Sequence, residues 1–259
     1  KTLQPSDIAH ELQRNMDILE TRSRNLPERH RSIRSVFNHS WRLLDESERA
    51  VFQKLSVFRG GFTREAAERV AGASLYTLAG LVDKSLVRLS ATGRYDVHEL
   101  LRQYGAEQLH SANESDHIEQ AYTDYYLGML ERLTEGIKAY HQIESLDKIA
   151  ADFENVRRTW QLAVQRGNFA TLNGAVESLH FFSDMRGRYH EGVALLREAL
   201  DLASEQLNAE QNYVLSRVRA RLIRLITLGN MRIDFDVRGQ IEACLAEAKA
   251  REDQAEIGF

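Results

Sequence analysis

Apolar residues recur along this chain at intervals of three and four over most of its length, which is the period of helices that bury one face. Ile8, Leu12, Met16 and Leu19 follow Pro5 and predict a helix over 5–19, with proline at its first position. The polar stretch 20–29, which holds Pro27, reads as a linker. Ile33, Val36, Phe37, Trp41 and Leu44 then mark a second helix. Asp45 and Glu48 form a D-x-x-E capping signature, opening a helix that carries Val51, Phe52, Leu55 and Phe58. Gly60-Gly61 breaks it. Thr63 caps a short helix to Ala71, Gly72 closes that one, and Ser74 caps a further helix over 75–84.

At Leu86 the period changes from 3.6 to 2. Residues 86–89, the turn Ala91-Thr92-Gly93 and residues 94–97 predict a short β-hairpin, followed at once by a helix over 98–109. Several short helices with one hairpin make a winged-helix plan. From Glu114 onward only helices are predicted, over 115–135, 145–166, 169–185, 189–204, 208–228 and 237–251, with junctions at Gly136, Gly167-Asn168, Gly187 and Gly229-Asn230. Gly187-Arg188-Tyr189-His190-Glu191-Gly192-Val193, running on to Ala199-Leu200, has the turn and second-helix pattern of a tetratricopeptide (TPR) repeat. A looser echo runs from Phe235 to Leu245. Its spacing of about forty residues exceeds the regular repeat of ~34, so the array reads as TPR-like. The expected fold is mainly α: residues 1–27 the end of a helical domain and a linker, 28–112 a winged-helix domain with a short β-hairpin, and 113–259 a TPR-like α-helical repeat array.

Composition changes this picture little. Hydrophobic residues make up 43% and charged residues 28%, ordinary values for a globular protein. No apolar run approaches the ~20 residues that span a bilayer. The sequence opens at Lys1 without a charged-then-apolar leader and begins and ends mid-pattern, so a piece of a longer cytoplasmic protein is expected. The one cysteine, Cys244, excludes a disulfide framework and reads as a buried structural thiol. The formal net charge is −4, which gives no global support for binding phosphate backbones.

Enzyme chemistry finds no footing. The nine histidines are scattered, and the sequence contains no H-E-x-x-H, G-x-S-x-G or Cys/His cluster. No G-x-x-x-x-G-K-[ST] phosphate loop occurs, and Gly60-Gly61 lacks the following lysine. No catalytic and no metal-ligating residue is assigned. Phe181-Phe182, Trp160 and Tyr125-Tyr126 read as inter-helix core.

Five blocks carry a family resemblance: Leu26-Pro27-Glu28-Arg29-His30; Phe37 through Leu44; Leu55-Ser56-Val57-Phe58-Arg59-Gly60-Gly61-Phe62; Leu81 through Val87; and Tyr95-Asp96-Val97-His98-Glu99-Leu100-Leu101. In this order they resemble the winged-helix region of STAND signal-transduction ATPases. The likeness is to the bacterial branch with AfsR-like and LuxR-type transcription regulators, an NB-ARC-like NTPase and a TPR sensor. It covers about residues 1–110 closely and the rest in general character. It implies that an NTPase domain binding ADP or ATP precedes the winged helix in the full-length protein, and that the array senses an inducer or partner protein. This chain itself is expected to hold no cofactor and to be no enzyme.

By the same resemblance, Val97-His98-Glu99 stands where the family has Met-His-Asp, whose histidine approaches the β-phosphate of ADP and holds the off state. Valine and glutamate are departures from that motif. Read from the residues alone, His98 caps a helix or packs under the hairpin.

Two further readings stay beside this one. A winged helix can read DNA, but the segment that would enter the major groove, 75–84, is mostly apolar, with one base and one acid. From Thr63 to Val97 five bases (Arg64, Arg69, Lys84, Arg88, Arg94) meet four acids (Glu65, Glu68, Asp83, Asp96), a net of +1. Docking on the NTPase domain is therefore expected, and direct DNA binding is not. The alternatives are a DNA-binding winged-helix regulator with a TPR interaction domain, and a plain TPR scaffold. Arg29, His30, Arg31 and Arg34 form the densest basic patch, facing either the NTPase domain or solvent. Arg157-Arg158 and Arg217, Arg219, Arg221 and Arg224 read as solvated faces, with an acidic-ligand groove as the alternative.

Overall fold

A computed structural model of the protein describes residues 33–201, 207–232 and 235–259. The helix expected over 5–19, the linker over 20–29 and the basic residues Arg29, His30 and Arg31 lie outside the described residues. Within them the fold is mainly α: thirteen helices and one two-stranded antiparallel hairpin, a winged-helix domain followed by a TPR-like array. The chain divides into two compact units between Ala121 and Tyr122.

In the first unit, α1 (Ile33–Arg42), α2 (Glu46–Leu55), α3 (Arg64–Ala71) and α4 (Leu75–Asp83) precede the hairpin of β1 (Arg88–Leu89) and β2 (Tyr95–Asp96), and α5 (Glu99–Ser111) follows it. The Asp45–Glu48 capping box forms as the sequence predicts, each side chain taking the other residue's backbone N–H, at 2.8 and 2.9 Å. Glu48 is itself buried and receives Lys84 from the end of α4. Thr63 and Ser74 cap α3 and α4. Removing one such acceptor costs about 1 kcal/mol. Asp45→Ala is accordingly expected to destabilise this unit by ~1 kcal/mol, read as a lowered urea midpoint with an unchanged slope.

The core of this unit gathers Val51, Phe52 and Leu55 of α2 with Leu78, Leu81, Val87 and Tyr104. The helix α2 ends at Leu55, so Phe58 sits beyond it and stacks on Phe62 at 4.3 Å. Phe62 and Tyr95 then exchange backbone hydrogen bonds, both 2.8 Å, which ties the segment before α3 to the hairpin. Gly61 makes this approach feasible: its φ is +88°, and a Cβ there would lie 3.0 Å from the Tyr95 carbonyl oxygen. The hairpin is shorter than predicted. Its register pairs Arg88 with Asp96 and Leu89 with Tyr95, while Leu86 and Val87 turn into the core ahead of the ladder.

The helix α6 (Ser115–Lys138) crosses the division between the units. After it come α7 (Gln142–Ala151), α8 (Phe153–Gln165), α9 (Phe169–Met185), α10 (Tyr189–Asp201), α11 (Ala209–Leu228), α12 (Val237–Ala250) and α13 (Gln254–Gly258). From α8 to α12 each helix packs on the next, and α8 and α9 also pack on α10 and α11, the next but one. Neighbour and next-neighbour packing is what makes stacked helix pairs a repeat array. Trp160 is fully buried and donates Nε1–H to the Leu195 carbonyl at 2.8 Å, joining α8 to α10. Gly192 lets α10 close in, since a Cβ there would sit 2.5 Å from Ser183 Oγ and 2.8 Å from Leu225 Cδ1.

Three expectations need correction. The single helix over 145–166 is two, because Asp152 ends α7 and starts α8 while its carboxylate turns inward to Tyr126 and Asn155. Gly136 is no junction: α6 continues through it to seat Ile137 in the core. Cys244 is half-buried, its thiol donating to the Ser216 carbonyl.

Candidate functional site

His98 occupies the N-cap of α5, where hairpin passes into helix. It is exposed, and its Nδ1 accepts the Leu100 N–H at 3.3 Å. The capping role read from the residues alone is therefore present. It also fixes the ring: an Nδ1 that accepts carries no proton, so the neutral imidazole holds its proton on Nε2, available as a donor.

His98 lines a cleft of about 300 Å³ with Arg59, Gly60-Gly61, Arg88, Glu99 and Arg102. Arg59 donates to the Ser56, Val57 and Phe58 carbonyls, which holds it at the exit of α2. Arg102 takes both Glu99 oxygens, at 2.6 and 2.7 Å, and reaches the Ser56 carbonyl at 3.3 Å. Partial burial opposes ionisation of Glu99, yet the Arg102 and Gln103 hydrogen bonds outweigh it and hold the carboxyl below its ordinary range. Three guanidiniums (Arg59, Arg88, Arg102) and two carboxylates (Asp96, Glu99) thus line the cleft. A helix N-terminus beside excess positive charge and an N–H donor suits an anion such as a phosphate group.

The other surface of interest is α4, the helix that a winged helix lays in a DNA groove. Its outward positions are Leu75, Tyr76 and Ala79, with Tyr76 87% exposed and Leu75 53%. Asp83 and Lys84 follow at its end, both exposed. The helix itself holds no base, asparagine or glutamine, and Lys84 at its C-cap is the one base beside it.

The remaining basic residues divide. Arg34 pairs with Glu107 at 2.7 and 3.2 Å within the first unit. Arg157 is exposed and pairs with Glu154 one turn away, the solvated face expected. Arg221 overturns its reading as a solvated side chain: it is 1% exposed. Its guanidinium grips Glu256 at 2.6 and 2.7 Å and also binds Glu177, which Lys138 reaches at 2.8 Å. Burial raises the Glu177 pKa, but Arg221 and Lys138 bring it down to about 2. His180, on α9 with Glu177, is fully buried; desolvation and the charges of Arg221 and Arg224 lower its pKa to about 4. The sequence carried one sign of this cluster, the i, i+4 spacing of Arg217 and Arg221, each directly followed by an apolar residue, Val218 and Leu222. Among the described residues no group of His, Cys, Asp or Glu is placed to hold a metal ion, and no helix is long and apolar enough to cross a membrane.

Residues 44–110 match the winged helix-turn-helix domain family. Over 211 residues, 78% of this chain, the sequence is 28% identical to proteins of Mycobacterium bovis (strain ATCC BAA-935 / AF2122/97) and Mycobacterium tuberculosis (strain ATCC 25618 / H37Rv). Each is described as "Putative HTH-type transcriptional regulator". The chain spans 24% of the length of these relatives. A crystal structure of a STAND protein with a tetratricopeptide repeat sensor, from Pyrococcus horikoshii, aligns over 95% of this chain and 43% of its own. That superposition has a TM-score of 0.34 and 13% identity, too loose to carry an argument.

Proposed function

We propose that this chain is a regulatory and sensor module of a STAND-type ATPase and contains no catalytic centre of its own. In this reading the winged helix docks on an NTPase domain of the full-length protein and holds its ADP-bound off state. The TPR-like array binds an inducer or partner protein. The observation that carries it is the cap at His98: Nδ1 is spent on the Leu100 N–H, which leaves Nε2–H as a donor on an exposed ring lining an arginine-bearing cleft. An ADP phosphate would meet His98, the start of α5 and the guanidiniums there. The apolar outward face of α4, with Leu75 and Tyr76 exposed, supports docking on protein. An inducer would then act only through unequal affinity for the closed and open states.

In the full-length protein, His98→Ala is expected to release ADP about tenfold faster, the loss of one hydrogen bond to a charged group, and to raise basal signalling. Stopped-flow displacement of a fluorescent ADP analogue reads the rate, and an unchanged rate would sink the assignment.

The description borne by the mycobacterial relatives favours a second reading, a transcription regulator whose winged helix contacts DNA. Salt-titrated gel shifts on the 259-residue chain separate the two. Sequence-preferring, salt-sensitive binding supports DNA recognition; its absence supports docking.

A further inference from the structure

The second unit already shows what Arg221 and Arg217 bind. Glu256 reaches them from α13, and Arg221 holds its carboxylate by two parallel hydrogen bonds, Nη1 to Oε2 at 2.7 Å and Nη2 to Oε1 at 2.6 Å. Arg217 Nε adds a third to Oε1 at 2.7 Å. This is the two-pronged geometry by which guanidinium recognises a free carboxylate. The charges do not balance around it. Lys138, Arg217 and Arg221 face Glu177 and Glu256, three against two, and without Glu256 the count is three against one. Arg224, one turn beyond Arg221, is exposed over the Phe259 ring at 5.4 Å.

Polar atoms at this place also lack partners. Arg221 Nε and both ring nitrogens of His180 are buried with no hydrogen bond among the described residues. Such groups are rare in folded proteins and ask for an explanation. Beside the fork lies a cavity of about 320 Å³, within the range of small-molecule sites (~300–1,000 Å³). Its wall is mainly apolar, with Ile223, Ile241, Leu245 and Ile257, and its cations are Arg217 and Arg224.

We propose that this cavity is a binding site for a small amphiphilic carboxylic acid, whose head group replaces Glu256 on the Arg217–Arg221 fork while its apolar body fills the space between α11 and α12. Glu256 is the resident competitor. It rides on a five-residue helix whose cap, Asp253, takes the Ala255 and Glu256 N–H groups and is held by the Tyr213 hydroxyl. A ligand acid therefore trades one carboxylate for another and gains the apolar contacts, freeing α13 as it binds. This deepens the sensor role proposed above by naming a ligand class, and it rests on that role only for the signal that follows binding.

Calorimetric titration of the 259-residue chain with octanoate, octanol, octylamine and acetate tests it. Octanoate is expected to bind at one saturable site, with octanol and acetate at least about tenfold weaker and octylamine silent. Glu256→Gln keeps a hydrogen-bonding side chain but removes the competing charge, so octanoate should bind it about tenfold more tightly. Ile241→Trp, at a half-exposed wall position, should fill the cavity and weaken binding by a similar factor. Equal affinity for octanoate and octanol, an unchanged constant in Glu256→Gln, or no octanoate heat with either protein would overturn the proposal. No nucleotide enters these titrations, so they stand or fall separately from the His98 result.

Discussion

Arg221→Ala is expected to cost the second unit about 3–5 kcal/mol, the usual penalty for removing one partner of a buried ion pair. The size follows from what stays behind. Glu177 and Glu256, whose side chains are only 13% and 7% exposed, lose the guanidinium they share. Lys138 and Arg217 remain near them but do not replace the two-pronged grip on Glu256. The Phe259 ring, centred 4.4 Å from the guanidinium carbon, loses its cation as well. Urea unfolding followed by Trp160 fluorescence measures this directly, because Trp160 is fully buried in the second unit. Every protein in this comparison carries Trp41→Phe as well, because Trp41 is the other tryptophan and would add its own signal. A companion variant separates buried charge from packing. Arg221→Met with Glu177→Leu and Glu256→Leu removes the two carboxylates that Arg221→Ala orphans, leaves Lys138 partly exposed and Arg217 bonded to the Asn173 carbonyl, and is expected to regain part of the loss. A cost below about 1 kcal/mol for Arg221→Ala would place the cluster with surface ion pairs and refute its buried character.

That cluster also marks the limit of what the sequence could reveal. Elements set by local chemistry were readable one by one: the Asp45–Glu48 box, the Thr63 and Ser74 caps, and the hairpin turn at Gly93. Each depends on residues within a few positions. The break at Asp152 was hidden, because the apolar period runs on through it and the kink comes from a carboxylate bonded to Tyr126, twenty-six residues earlier. The Arg221 site was hidden for the same reason on a larger scale, as its partners are 44 and 35 residues away. An arginine on an amphipathic helix looks solvated until the opposing helix is known. His98 lies between these cases. Its cap is local and was anticipated, whereas two of the three arginines beside it, Arg59 and Arg88, come from the exit of α2 and from the hairpin.

The same cluster should make the second unit sensitive to mild acid. His180 is buried without a hydrogen bond, with Arg221 and Arg224 reaching it from α11, Glu177 on its own helix and the Phe259 ring edge-on at 5.3 Å. Desolvation and the two arginines together bring its pKa down from 6.5 to about 4, so the fold favours the neutral ring. Between those values the unfolded chain binds the proton and the folded chain does not. Stability is therefore complete above pH 6.5 and declines as pH falls toward 4, by a total of ~3 kcal/mol. Glu177 adds a second arm of the same sign at lower pH. Its paired carboxylate, with a pKa lowered from 4.5 to about 2, contributes stability above pH 4.5 that is lost as pH falls to 2. His180→Leu removes the titrating ring and its unpaired nitrogens while keeping an apolar side chain. It is expected to flatten the arm between pH 6.5 and 4 and to leave the carboxylate arm in place. Urea midpoints at pH 7, 5.5 and 4.5, read by Trp160 fluorescence in both proteins, measure the difference. If His180→Leu declines as steeply as the parent over that interval, the titrating group lies elsewhere and the His180 assignment falls.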